Sequence, residues 1–392
     1  MWVIFMIRLF EVYKEFRCVA GRCGDSCCTG WKIIVDDASA ERYVGEKGEI
    51  GDRVREVMID DGKKYFRLNG SRCPFLNKEN LCDIYIELGE EALCETCSSY
   101  PRVVRKEDCG QYGELMEACL TMSCPEAARL MMEKCIGITE VQPPDNMGDS
   151  GGLKAGINLE DSMQMLLIDI ARDKRVGSFN RVVTIIMVVN AASREKTTEG
   201  IENILDQFRD LKMRKEFMDS VTLEEEKDTA DIIYELMEKY FELCDSRINV
   251  NSTVEKVKKY MRNKEEFVKC YGDMCGRFNT YMEETGCTYR LENLLLYYIF
   301  RHYKEVSIKN EFITMMCVYY VIARTIQMVI YNEEGRVNEA DSISSFQYYS
   351  KITEHSVKDY NKMLSFMQES DYNRVTVLIR MVSEKFKGDF EK

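Results

Sequence analysis

Histidine is nearly absent from this chain: there are two in 392 residues, His302 and His355, both far toward the C-terminal end. A metal site built near the N-terminus must therefore use sulfur, with at most carboxylate or backbone help, and the mixed two-cysteine, two-histidine zinc site is excluded. Positive charge is also short. Lys and Arg number 54 against 67 Asp and Glu, for a net charge of −13, and the deficit is spread as −8 over residues 1–150 and −5 over the remainder. Neither part carries the basic footprint that phosphate-backbone binding needs, so nucleic acid is not an expected partner.

The N-terminal stretch MWVIFMIRLFEVYKEF lacks a basic residue ahead of its apolar run, reaches Arg8 and offers no small-residue cleavage site. It does not read as a secretory leader, which points to a cytoplasmic chain with reduced thiols. A nucleotide-cradling loop is missing too. The one glycine-rich stretch, Gly148 to Gly152, follows Pro143 and Pro144 rather than a strand, so the doubly wound methyltransferase pattern is not present. Apolar runs of membrane length are limited to residues 312–331, and Arg324 and Gln327 interrupt that stretch. A buried core helix is the expected reading, with no membrane span.

Against these shortages stands cysteine. Of 17 cysteines, 12 lie within the first 135 residues. The stretch Val141 to Gly156, VQPPDNMGDSGGLKAG, holds two of the five prolines and four glycines and reads as a linker. The expected organisation is a cysteine-rich module over residues 1–140, a linker over 141–156 and a helical domain over 157–392, the last serving substrate recognition. The fold class is mainly α, with a small irregular α+β module ahead of an all-α bundle.

Within the module, Trp31 to Asp37 and Lys63 to Leu76 read as short strands, and Ala38 to Tyr43 and Ser123 to Cys135 as helices. Beyond it, amphipathic periodicity predicts helices over Leu159 to Arg175, Phe179 to Ala192, Glu199 to Met218, Leu223 to Cys244, Thr253 to Thr285, Arg290 to Tyr303, Lys309 to Tyr331 and Thr353 to Gln368. Thr222 ahead of Glu225 fits a capping box.

The candidate metal ligands are Cys18, Cys23, Cys27, Cys28, Cys73, Cys82, Cys94 and Cys97. Soft thiolates a few residues apart converge from single turns on zinc or on an iron-sulfur cluster, and a second loop completes the coordination. Eight thiols exceed the need of one four-ligand site, so some belong to packing or to a second site. All-thiolate zinc and [4Fe-4S] both remain open. Cys109, Cys119, Cys124 and Cys135 are outer candidates, and the five distal cysteines read as packing. Trp31 is placed to shield a cluster, and Arg102 and Arg105 to offset its charge or edge a strand. His302 and His355 read as surface or partly buried helix residues rather than bases. The paired tyrosines read as packing, and the 23 methionines as core filling or a groove for a protein helix. Taken alone, this set also suits a non-catalytic iron-sulfur or zinc protein: a scaffold, metal carrier or redox sensor.

Four stretches carry a resemblance: FRCVAGRCGDSCCTGWKI (Phe16 to Ile33), CPFL (Cys73 to Leu76), LCDIYIELGEEALCETCSSYPRVV (Leu81 to Val104) and SCPEAARL (Ser123 to Leu130). Together they resemble the CxxCxxCC cysteine-cluster family of zinc- or iron-chelating proteins and, more closely, the flagellin lysine-N-methylases. That resemblance implies methyl transfer from S-adenosylmethionine to surface lysines of flagellin, and a [4Fe-4S] cluster in preference to zinc. The residues themselves do not support a radical mechanism: Cys23-x3-Cys27 is followed at the required third position by Gly30.

Overall fold

The computed structural model describes residues 4–109, 113–141, 158–219, 229–245 and 252–383. Nearly all of the expected linker, with its glycine-rich stretch, and the Thr222–Glu225 capping box lie outside the described residues. The architecture is mainly α: 17 helices accompany six short strands among the described residues.

The strands are β1 (Ile4–Phe10), β2 (Met58–Asp60), β3 (Lys64–Phe66), β4 (Arg102–Asp108), β5 (Glu114–Leu120) and β6 (Ile138–Val141). Four of them form one sheet in the order β4-β5-β1-β6. β1 runs parallel to β5 and antiparallel to β6, while β4 and β5 are antiparallel. β2 and β3 make a separate small hairpin. Of the two stretches expected to be strands, only Lys64–Phe66 forms one; Ile34 contributes a single bridge to Tyr65.

Five helices belong to the first part: α1 (Asp37–Gly45), α2 (Glu49–Val57), α3 (Asp83–Leu88), α4 (Glu95–Ser99) and α5 (Pro125–Glu133). Asp36 caps α1 by accepting from Ser39 N at 2.9 Å, and Pro125 opens α5, where its missing N–H costs nothing. The remainder is helical: α6 (Leu159–Arg172), α7 (Ser178–Arg194), α8 (Thr198–Arg209), α9 (Leu211–Asp219), α10 (Thr229–Asp245), α11 (Ser252–Tyr260), α12 (Lys264–Glu284), α13 (Tyr289–His302), α14 (Lys309–Glu334), α15 (Glu339–Thr353), α16 (Val357–Glu369) and α17 (Val375–Val382).

Two runs expected to be single helices are broken by caps. Asn263 accepts from Glu266 N and starts α12 afresh after α11, and Asp210 accepts from Lys212 N at 2.7 Å and separates α9 from α8, while α15, but for its last residue, and α17 were not expected. α14 is apolar on all sides and buried from Phe312 to Ile330, packed against α7, α10, α11, α12, α13, α15, α16 and α17. Its polar interruptions are paired inside: Arg324 donates to Asn279 at 3.0 Å and Gln327 to Ser345 at 3.0 Å. Among the described residues it is the one helix of membrane length and apolarity.

The apolar core falls into two bodies. A small one gathers Ile33, Val35, Tyr43, Val54, Phe66, Phe75, Ile84 and Cys94 around the cysteine loops. The large one runs continuously from Phe10, Cys119, Met122 and α5 into α6–α17. The sheet and α5 are thereby packed onto the helices, and the cysteine loops hang at their edge.

Candidate functional site: thiol loops and the seam beneath them

Three loops of the first part are drawn together by backbone hydrogen bonds. Cys73 N donates to Cys28 O at 2.7 Å, and Gly30 N to Ser71 O at 2.9 Å, which lays the double-cysteine turn along the third thiol. Gly30 has φ +95°, a left-handed backbone that suits glycine at this turn. Asn77 Oδ1 accepts from Leu81 N, and Asp83 N donates to Phe75 O at 2.8 Å, so that Cys82 folds back beside Cys73. Asp36, besides capping α1, accepts from Glu95 N at 2.9 Å and so fixes the start of α4, where Cys94 and Cys97 sit one turn apart.

The outcome is an inner group of thiols. Cys27 and Cys28 have sulfurs 4.0 Å apart. Cys94 and Cys97 act on each other: the interaction with Cys97 lowers the proton affinity of Cys94, while that same interaction, with burial, raises that of Cys97. Cys97 lies in the electrostatic range of Cys28 and Cys73, and Cys73 in that of Cys82, Cys94 and Cys27. Burial pushes Cys73 up to about 12 and raises Cys82 as well. Cys27 is raised by its bond to Cys28 and then by burial.

Cys18 is exposed, as is Cys27, and the half-buried Cys23 lies in the electrostatic range of both, with Cys124 facing Cys23 and Cys27 from the start of α5. No disulfide links the cysteines of the described residues.

The donor chemistry fits a thiophilic metal centre. Two thiolates on one tetrahedral ion at about 2.3 Å stand roughly 3.8 Å apart, close to the Cys27–Cys28 separation. Among the described residues, however, no three His, Cys, Asp or Glu side chains already form a cage. A metal bound here would displace thiol protons and draw the loops inward.

Beneath the loops runs a seam where they meet the sheet and α15. Asp25, three residues before Cys28, accepts from Lys351 Nζ at 2.5 Å and Gln347 Nε2 at 2.8 Å, and Gln347 also donates to Ser123 O at 3.0 Å. Trp31 stacks on the His355 ring at 4.3 Å and leans on Tyr100 at 5.5 Å, with Lys351 Nζ 5.5 Å above it.

Glu354, its side chain 7% exposed, gathers donors from four directions: Thr121 at 2.8 Å, Tyr297 at 2.8 Å, Ser350 at 2.5 Å, and His302 Nε2 at 3.7 Å. Burial opposes its charge, but His302, Arg301 and Ser350 prevail and hold the carboxyl down at about 2. Burial works against protonation of His302, yet Glu305 and Glu354 raise its proton affinity overall.

Both histidines thus belong to one polar seam. His302 closes α13, and His355 sits in the turn between α15 and α16. Arg102 and Arg105 lie on β4, and Arg105 pairs with the buried Glu117.

A cavity of about 30 Å³ lies elsewhere, lined by Arg181, Asn279, Glu292, Leu295 and Tyr320 among others. It is sized for a water molecule, far below a nucleoside donor.

These observations acquire a context from comparison with known proteins. The matched family consists of protein-lysine methyltransferases. The chain belongs to the FliB lysine N-methylase family, whose C-terminal domain matches residues 164–381, most of the helical part. It is 30% identical over 124 residues to the flagellar biosynthetic protein FliU of Salmonella muenchen, covering 29% of this chain and 68% of that one. It is 30% identical over 124 residues to the lysine-N-methylases of Salmonella typhimurium and Salmonella choleraesuis, covering 29% of this chain and 29% of each. The matched stretch thus spans less than a third of the two lysine-N-methylases. No solved structure matches the chain.

Proposed function

We propose that the protein methylates surface lysines of flagellin, taking the methyl group from S-adenosylmethionine, and that its thiol loops hold a [4Fe-4S] cluster. The observation that carries the reading is the match of the FliB lysine N-methylase C-terminal domain over residues 164–381, supported by relatives named lysine-N-methylase and flagellar biosynthetic protein. The all-sulfur donor set of Cys27, Cys28, Cys73, Cys82, Cys94 and Cys97 supports the cluster, with zinc the other occupant such thiolates accept. Bound metal would cross-link the loops and lower the proton affinity of their thiols. Reduced thiols suit action in the cytoplasm, on flagellin before assembly.

The chemistry asked of the chain's own residues is modest. A lysine amine attacks a sulfonium methyl without further activation once it has lost its proton and is held in line. A polar, carboxylate-bearing seam beside aromatic rings offers both services: cation attraction by Trp31 and Tyr100, and proton uptake.

The test is incubation of anaerobically prepared protein with flagellin monomer and methyl-labelled S-adenosylmethionine, followed by mass spectrometry of the lysines. Methyl-lysine on flagellin is expected; none from a metal-loaded sample overturns the reading. Iron, zinc and acid-labile sulfide analysis of the same sample decides the cofactor, a colourless zinc protein without sulfide overturning the cluster.

A further inference from the structure

The turn that carries Cys23, Cys27 and Cys28 belongs to no helix or strand. The chain passes from the single helical turn Ala20–Arg22 to α1 with isolated bridges only, at Thr29 and Ile34. The small core of the thiol loops takes in Cys28 and Trp31 at its rim but not Cys27. A loop of this kind holds ligands in place through the side-chain bonds that support it.

Its internal bonds are local: Ser26 N donates to Asp25 Oδ1 at 2.7 Å, Cys28 N to Ser26 Oγ at 3.1 Å, and Thr29 Oγ1 to Ser26 O at 2.9 Å. What ties it to the helical part is α15. Gln347 and Lys351, one turn apart on that helix, both donate to Asp25 Oδ2, at 2.8 and 2.5 Å. Lys351 Nζ also reaches Ser26 O at 3.4 Å and Thr29 Oγ1 at 3.5 Å, so the three donors of one ammonium meet three oxygens of the turn. Gln347 carries the tie onward by its bond to Ser123 O.

This is no surface ion pair, since the side chain of Lys351 is 9% exposed and Nζ lies over the Trp31 ring. Its charge matters as much as its bonds. Asp25 stands two residues from Cys23 and two from Cys27. Thiolate ligands leave a bound zinc ion or an oxidised [4Fe-4S] cluster net negative, and an unpaired carboxylate beside them would repel that charge. Lys351 cancels it and lies within electrostatic reach of Cys27.

We propose that Lys351 is a positioning residue for the thiol centre: it pins the Asp25–Thr29 turn to α15 and neutralises Asp25, with Gln347 assisting. This rests on the metal-binding reading above. The helical part is then the template on which Cys27 and Cys28 are set, although it supplies no ligand itself.

The test uses the full chain, reduced and metal-free, titrated with zinc against a chromophoric chelator and then with cobalt(II), whose visible bands report thiolate geometry. Lys351→Met is expected to weaken zinc binding about 10- to 100-fold and to alter the cobalt bands. Lys351→Arg keeps the charge and is expected to restore both in large part. Cys317→Ser, which lowers stability far from the loops, is the control and is expected to keep wild-type affinity and bands.

Wild-type affinity and bands in Lys351→Met overturn the proposal and leave the thiol centre standing, as does an equal loss in Cys317→Ser. If Lys351→Met does not fold, Gln347→Leu decides: it removes one of the two bonds to Asp25 from α15 and is expected to weaken zinc about fivefold, and unchanged zinc overturns the proposal. A wild type that binds neither metal removes the metal-binding reading and this role with it, while methylation of flagellin is read separately.

Discussion

Lys304 and Asp161, 143 residues apart in the chain, meet at 2.7 Å in a pocket closed to water, with side-chain exposures of 3% and 0%. Arg8 of β1 reaches the same carboxylate at 2.5 Å, and Glu117 and Glu107 flank Lys304 at 3.4 and 2.8 Å. Two buried cations from different segments are thus balanced by carboxylates of β4, β5 and α6. The network clamps the sheet to the helices and so fixes Thr121 and Ser123, which leave the end of β5, opposite Glu354 and His355.

Asp161→Asn is expected to cost roughly 1–3 kcal/mol, because it removes the buried carboxylate that Arg8 and Lys304 share and leaves Arg8 to Glu140 and Lys304 to Glu107 and Glu117. Urea titration followed by circular dichroism measures it. The double variant Asp161→Asn with Lys304→Met is expected to recover part of the loss, since it removes one of the two cations that shared the lost charge. If the double variant is as unstable as the sum of both single ones, the pair is not coupled as described.

The Glu354–His302 contact sets a pH window for stability. Glu354 folds with its carboxyl held at about 2, below its ordinary value of 4.5, so its stabilisation is present above that ordinary value and is lost as pH falls toward 2. The difference corresponds to about 3 kcal/mol. His302 is shifted upward, so its share is present below its ordinary 6.5 and is lost as pH rises through the raised folded value. Unfolding free energy measured from pH 3 to 9 should therefore fall on the acid side in the wild type, and fall much less steeply in Glu354→Gln, which starts from a lower maximum.

The small core around the thiol loops offers a backbone test. A Cβ added at Gly51 in α2 would stand 2.0 Å from Glu46 O, a backbone atom with no freedom to swing aside. Alanine normally improves a helix interior by up to about 1 kcal/mol over glycine. Here Gly51→Ala is expected to destabilise by about 1–3 kcal/mol instead. Gly45→Ala, which meets nothing within 4 Å, is the matched control and is expected to be neutral or slightly stabilising. The emission of Trp31, which packs against this core, reports both.

Legibility followed the range of the interactions. α14 was readable because a helix buried on all sides is apolar on all sides, and α6, α7 and α13 because their periodicity is local. The breaks at Asp210 and Asn263 were not, since a single capping residue inside a long amphipathic stretch leaves the period intact, and α15 was missed because much of its buried surface is serine, glutamine and tyrosine. The sheet escaped because β1 pairs with β5 across more than a hundred residues, and neither strand has a turn signal naming its partner. His355 reads as an unremarkable residue in TEHSV; what gives it character is Ser123, 232 positions earlier, and Trp31. The thiols were legible as a set, yet the division into an inner six and an outer pair with Cys124 depends on which loops the backbone bonds of Cys28, Cys73 and Phe75 join.

That division predicts how metal content responds to substitution. Cys28→Ser, Cys73→Ser, Cys94→Ser and Cys97→Ser each alter thiols that converge from three loops, and each is expected to lower bound iron and sulfide, or zinc, to a small fraction of the wild-type amount. Cys317→Ser changes a thiol buried in α14, far from the loops, and is expected to keep full metal while lowering stability. Cys18→Ser removes an exposed thiol whose sulfur accepts from Ala20 N at 3.4 Å, and is expected to keep metal as well. Because a metal held by these loops would draw them inward against thiol protonation, chelation should selectively expose Trp31 and leave the helical circular dichroism nearly unchanged. Metal analysis beside the two spectra checks both halves: full metal in Cys97→Ser, or a helical signal that collapses with the metal, would show that the thiol loops are not the independent platform their separate core makes them.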